Sequence, residues 1–174
     1  HDDLAFRYGC RARNCGVCTI DINDRPKLAC RARVKEGDIV SAMATLPVIK
    51  DLVVKRDAIT RQMKGYNNIS HTNDLNLDAD KTYHNLTACI ECYACLDGCP
   101  VHAKNNIVDI QNNVAYNYGN PYSFLKIQRL LIDPLTPDSE KHKLIDKAKR
   151  LGLEIYKREY NSFKIKCGVG INLK

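Results

Sequence analysis

The chain has 174 residues, 44% of them hydrophobic, enough for one ordinary domain or two small ones with a core. No run approaches the ~20 apolar residues of a membrane span, and no signal-peptide pattern opens the sequence. The formal charge is +7, and nine cysteines, an odd count, set aside a simple disulfide framework.

Residues 1–64 read as one unit. "CTIDI" (Cys18–Ile22) and "KLACRARV" (Lys27–Val34) flank a polar turn at Asn23-Asp24, which predicts a hairpin. "EGDIV" closes that region and "LPVIKDLVV" (Leu46–Val54) adds a further apolar run. "DAITRQMK" (Asp57–Lys64) predicts a short helix. Residues 65–85 are polar and rich in Asn and Asp, which predicts a linker or surface loop. Residues 86–174 predict helices. Asn120-Pro121 opens one, with Pro at the first helical position and Phe124, Leu125, Ile127, Leu130 and Leu131 at helical spacing. Thr136-Pro137 opens another, with Gly152 as its stop.

Eight of the nine cysteines fall in two sets of four. The first is Cys10-x4-Cys15-x2-Cys18, followed after eleven residues by Cys30. That is the plant-type [2Fe–2S] spacing. A zinc site also takes four thiolates, but usually as two C-x2-C pairs, and only one pair here has that spacing. Zinc or free thiols stay open beside the cluster reading. Small residues such as Gly9, Ala12 and Gly16 let backbone N–H groups approach the sulfurs. The second set is Cys89-x2-Cys92-x2-Cys95-x3-Cys99-Pro100, the bacterial-ferredoxin run. In that run three cysteines bind one [4Fe–4S] cubane and the fourth reaches a different cluster. A cubane on Cys89, Cys92 and Cys95 then needs a distant ligand. Cys167 is the cysteine that remains, either that ligand or a buried core residue.

The basic residues bear on partners. Arg11, Arg13, Arg31 and Arg33 flank cysteines instead of forming a stripe, so no nucleic-acid partner is predicted. Two clusters of about −2 each would bring +7 down to about +3, so part of the excess reads as local compensation.

These motifs resemble the iron–sulfur subunit of the succinate dehydrogenase and fumarate reductase family. "GCRARNCGVCTIDIN…KLAC", "LPVIKDLVV", "CIECYACLDGCP", "FLKIQRLLID" (Phe124–Asp133) and "CGVGIN" occur in that family's order. The resemblance implies an α+β chain: a β-grasp [2Fe–2S] ferredoxin domain (1–64), a linker (65–85) and an all-α helical ferredoxin domain (86–174). It implies [2Fe–2S] on Cys10, Cys15, Cys18 and Cys30, and [4Fe–4S] on Cys89, Cys92, Cys95 and Cys167. Electrons would pass between a flavoprotein subunit, which alone holds FAD, and a quinone site near membrane-anchor subunits, or another acceptor. The chain would be a non-catalytic electron-transfer subunit, peripheral on the cytoplasmic face of the membrane (the matrix face of the mitochondrial inner membrane in a eukaryote).

Three departures qualify the resemblance. The family's β-grasp begins with a hairpin ahead of the first cysteine, and nine residues precede Cys10 here. The family's [3Fe–4S] cluster takes Cys99 and two cysteines shortly before Cys167, where "KREYNSFKIK" has none. Either that cluster is lost and Cys99 is spare, or its other ligands lie outside this sequence. The family's aromatic residues after Cys-Pro are replaced by "VHAK". His102 and Lys104 are candidate proton donors to a reduced acceptor, or else an exposed pair at a helix start. Two alternatives follow: the iron–sulfur part of a thiol-linked, heterodisulfide-reductase-like fumarate reductase, or an accessory subunit with part of its cluster wire lost.

Overall fold

The computed structural model describes residues 3–65, 79–105 and 116–173. In the amino-terminal part, β1 (Thr19–Ile22) pairs antiparallel with β2 (Pro26–Leu28) and with β3 (Val40–Ser41). The predicted hairpin is present. Asn23 and Asp24 both take positive φ, 51° and 57°, the backbone that a tight two-residue turn between twisted strands requires. β4 (Val48–Lys50) and β5 (Val53–Val54) form a second hairpin from the Leu46–Val54 run. The predicted helix after it is α1 (Asp57–Arg61), shorter than its sequence signal.

The carboxy-terminal part is helical. α2 (Lys81–Thr87) starts inside the predicted linker, where Asp80 caps it by accepting from the Thr82 N–H at 3.2 Å. Residues 66–78 lie outside the described residues. A 3-10 turn (Ala94–Leu96), α3 (Pro100–Ala103), α4 (Pro121–Leu131), α5 (Asp138–Arg150), α6 (Leu153–Glu159) and a second 3-10 turn (Tyr160–Ser162) follow. α4 begins as predicted, with Asn120 accepting from Ser123 N at 3.1 Å and Pro121 in its first turn. Gly152, at φ +79°, follows α5 and accepts the left-handed backbone that ends it.

The fold is α+β, with small sheets first and helices after. Its hydrophobic core crosses the 65–85 segment. Met43, Leu46, Val54 and Ile59 pack with Tyr93, Leu96 and Tyr122, and Met63 packs with Ile127 and Leu144. Neither half buries these side chains alone. No described helix is long and apolar enough to cross a membrane.

Candidate metal centres

The first cysteine loop runs into β1. Arg11 and Arg13 adopt φ of 54° and 65°, and Gly16 adopts 63°. Left-handed residues at such short intervals turn successive N–H groups to one side, making an anion-binding concavity. The N–H groups of Ala12 and Asn14 donate to Cys10 Sγ at 3.4 and 3.2 Å, and that of Cys10 donates to Cys15 Sγ at 3.5 Å. These donors bring the exposed Cys10 thiol down to about 7. Cys18 is buried beside Cys30, at the end of the β1–β2 hairpin, and burial followed by its Cys30 neighbour pushes its thiol up. Gly9 leaves room for sulfur: a Cβ there would stand 3.2 Å from Cys15 Sγ. Cys18, Cys30, Phe6 and Tyr8 line a cavity of about 350 Å³.

The second loop repeats the device, with Glu91 at φ 55° and Tyr93 at 60°. The Glu91 N–H serves Cys89, and those of Ala94 and Gly168 serve Cys92. Cys167 comes from 68 residues beyond Cys99 in the chain. It nevertheless lies with this set: Cys95 feels the charges of Cys92, Cys89 and Cys167, and Val169 N donates to Cys167 Sγ at 3.4 Å. A Cβ on Gly168 would come within 3.0 Å of Cys92 Sγ, so only glycine allows this approach without displacement. Burial raises the Cys89, Cys92 and Cys95 thiols. They are neutral until a metal takes up the thiolates.

Cys99 stands apart. It is 2% exposed and packs against Val101, Tyr156 and Phe163, with Sγ accepting from the His102 N–H at 3.5 Å. Among the described residues no second thiol faces it, so the residues present do not fit a [3Fe–4S] cluster. Beside it lies a cavity of about 520 Å³. His102 lines this cavity and is 6% exposed, which corrects the expectation of an exposed histidine. Its Nε2 donates to the Thr45 carbonyl at 2.9 Å. Among the described residues His102 Nδ1, Thr45 Oγ1 and Tyr116 Oη are buried without a partner. Lys104 points away and pairs with Glu159 at 3.7 Å, so the two candidate proton donors are not brought together.

Sequence spacing gives no sign of Arg56. Its guanidinium donates to the carbonyls of Gly16 and Val17, both at 3.2 Å, and to that of Glu91, and it stacks 4.6 Å over the Tyr93 ring. The Glu91 carboxylate pairs with Lys126 of α4 at 2.5 Å. Arg13 also ties the first loop to the remote segment, donating to Gly168 O at 3.1 Å.

Among the described residues no three Cys, His, Asp or Glu side chains converge tightly enough for one metal ion.

Residues 1–61, which hold the whole first set, match the family described as 2Fe-2S iron–sulfur cluster binding domain. A fumarate reductase (CoM/CoB) polypeptide of Methanothermobacter marburgensis is 33% identical over 137 residues, 76% of this chain and 26% of that protein. The fumarate reductase iron–sulfur subunit of Escherichia coli O6:H1 (strain CFT073) is 30% identical over 115 residues, 59% of this chain and 47% of that one. The chain is similar in sequence to fumarate reductase iron–sulfur subunits. The chain spans between about a quarter and a half of the length of those curated relatives, 26% and 47%. Its fold matches a chain of the Mycobacterium smegmatis Sdh1 complex in the apo form, with a TM-score of 0.63 over 91% of this chain and 80% of that one, at 22% identity.

Proposed function

We propose that this chain is the electron-transfer subunit of a succinate dehydrogenase or fumarate reductase. In this reading Cys10, Cys15, Cys18 and Cys30 hold a [2Fe–2S] cluster, and Cys89, Cys92, Cys95 and Cys167 hold a [4Fe–4S] cluster. When bound, the clusters supply one-electron redox centres. The chain's own part is to hold thiolates, aim N–H groups at the sulfurs and exclude water. The observation that carries the reading is Cys167, which reaches Cys92 and Cys95 from the far end of the chain while adjacent Cys99 does not. A flavoprotein subunit is the proposed partner on one side. The proposed location is peripheral, on the cytoplasmic face of a membrane.

Two acceptors suit this frame, a quinone beside membrane-anchor subunits or a thiol system. The relative named for CoM/CoB fumarate reduction favours the second, as does "VHAK" in place of aromatic residues after Cys-Pro. Cys99 has no companion thiol among the described residues, so in this reading it shares no cluster with the other cysteines of this segment.

Iron and sulfide per chain, with electron paramagnetic resonance of anaerobically prepared protein, test the reading. About six irons and no oxidised-state [3Fe–4S] signal are expected. Cys167→Ser should remove the cubane signal, and Cys99→Ser should leave it. Zinc in place of iron, or a cubane lost in Cys99→Ser and kept in Cys167→Ser, would sink it.

A further inference from the structure

Arg56 stands where the two cysteine sets meet. Two of its carbonyl partners, Gly16 and Val17, lie between Cys15 and Cys18, and the third, Glu91, lies between Cys89 and Cys92. One rigid guanidinium therefore fixes a segment of each set. Its donors fork in a plane, a geometry that a lysine ammonium does not offer. The Tyr93 ring covers one face, and Tyr93 is the residue after Cys92. Arg56 opens α1 directly after β5, so its backbone belongs to neither cysteine loop. The same juncture is closely packed: a Cβ on Gly16 would overlap the Ile90 carbonyl oxygen and stand 2.7 Å from the Cys92 backbone. The nearest carboxylate, Glu91, is bound instead to Lys126. Burial takes the Arg56 cation out of water, and its charge acts on Cys92 at low screening.

We infer that Arg56 is a positioning residue for electron transfer between the two centres, setting the spacing of the cysteine loops and holding a buried positive charge beside the cubane ligands. The inference rests on the two-cluster reading above. It separates into two effects. The charge favours the reduced, more negative cubane and raises its potential. The fork holds the two loops at one distance, on which the rate of electron passage depends.

Arg56→Gln removes both effects, and Arg56→Lys keeps the charge but loses the fork. The measurement is a redox titration followed by paramagnetic resonance, together with the dipolar broadening between the two reduced clusters. Lys143→Gln, on the exposed face of α5, is the control. The expected result is a cubane potential that falls in Arg56→Gln and stays at the wild-type value in Arg56→Lys, with altered broadening in both. Unchanged potential and unchanged broadening in both variants would overturn the inference, as would equal potentials in Arg56→Gln and Arg56→Lys. If Arg56→Gln does not retain iron, Arg56→Lys decides alone: wild-type potential with altered broadening supports the inference, and unchanged broadening overturns it. Wild-type protein without two reducible clusters would overturn the functional reading itself, and the iron count reveals that case separately.

Discussion

Gly16 has φ +63° and sits where an added Cβ would meet the Ile90 carbonyl and the Cys92 backbone. Left-handed backbone alone costs a non-glycine residue about 1–2 kcal/mol. At Gly16 the overlap adds to that, because backbone atoms of the second cysteine loop would have to move. Gly37 gives the contrast: its φ is +88°, but nothing lies within 4 Å of its Cβ position. Gly16→Ala is expected to lose cubane iron and to unfold at lower temperature, whereas Gly37→Ala keeps its iron and shows only the backbone cost. Iron analysis and thermal unfolding of the pair check this. His102 offers a pH test. Burial lowers its pKa from 6.5, so the folded chain keeps it neutral while the unfolded chain takes up a proton. Stability present above 6.5 is therefore lost as pH falls below it. In His102→Gln, urea unfolding should show a flatter dependence on pH from about 7 downward, and an unchanged slope would assign the acid sensitivity elsewhere.

At the scale of elements, α4 is set in place by one side chain from the amino-terminal part. Gln62 Oε1 accepts from Ser123 Oγ at 2.6 Å and from Asn120 Nδ2 at 3.3 Å. Its Nε2 donates to the carbonyls of Tyr116 and Tyr118, at 3.3 and 3.0 Å. Asn120 and Ser123 are fully buried, so water cannot replace these bonds. Leaving a buried polar group unsatisfied costs about 1–3 kcal/mol. Gln62→Leu strands several and should destabilise by about 3 kcal/mol or more, measured by urea unfolding. The exposed pairs of α5, such as Lys143–Glu140 at 2.6 Å, make the opposite case. Pairs of that kind contribute about 0–1 kcal/mol, so Lys143→Gln should barely register.

For the whole molecule, charge is the accessible observable. Cluster-free protein with protonated thiols carries a formal +7. Two clusters of about −2 each bring it to about +3. Loaded protein should therefore leave a cation exchanger at lower salt than cluster-free protein, under anaerobic conditions near neutral pH. Co-elution of the two forms would count against two four-thiolate clusters. The shared core also bears on how the chain behaves as a unit. Met43 and Leu46 lie on one side of the 65–85 segment and Tyr93 and Leu96 on the other, in one cluster, so the two parts stabilise each other.

Local chemistry made much of this legible. The hairpin follows from a polar turn between β-forming runs, α4 from Asn120-Pro121, and both cysteine loops from their spacing, because each is decided within a few neighbouring residues. The sequence by itself marked the candidate metal-binding cysteines and left Cys167 as either a distant ligand or a buried core residue, since spacing counts residues and not directions. Tertiary structure brought Cys167 beside Cys92 and Cys95. The chain returns over Gly168, where the absence of a Cβ admits Cys167 to Cys92, while α3 turns Cys99 into an apolar pocket with Tyr156 and Phe163. It also brought Arg56 between the loops and buried His102, because contacts between residues far apart in sequence depend on how the elements pack, and no local pattern records that.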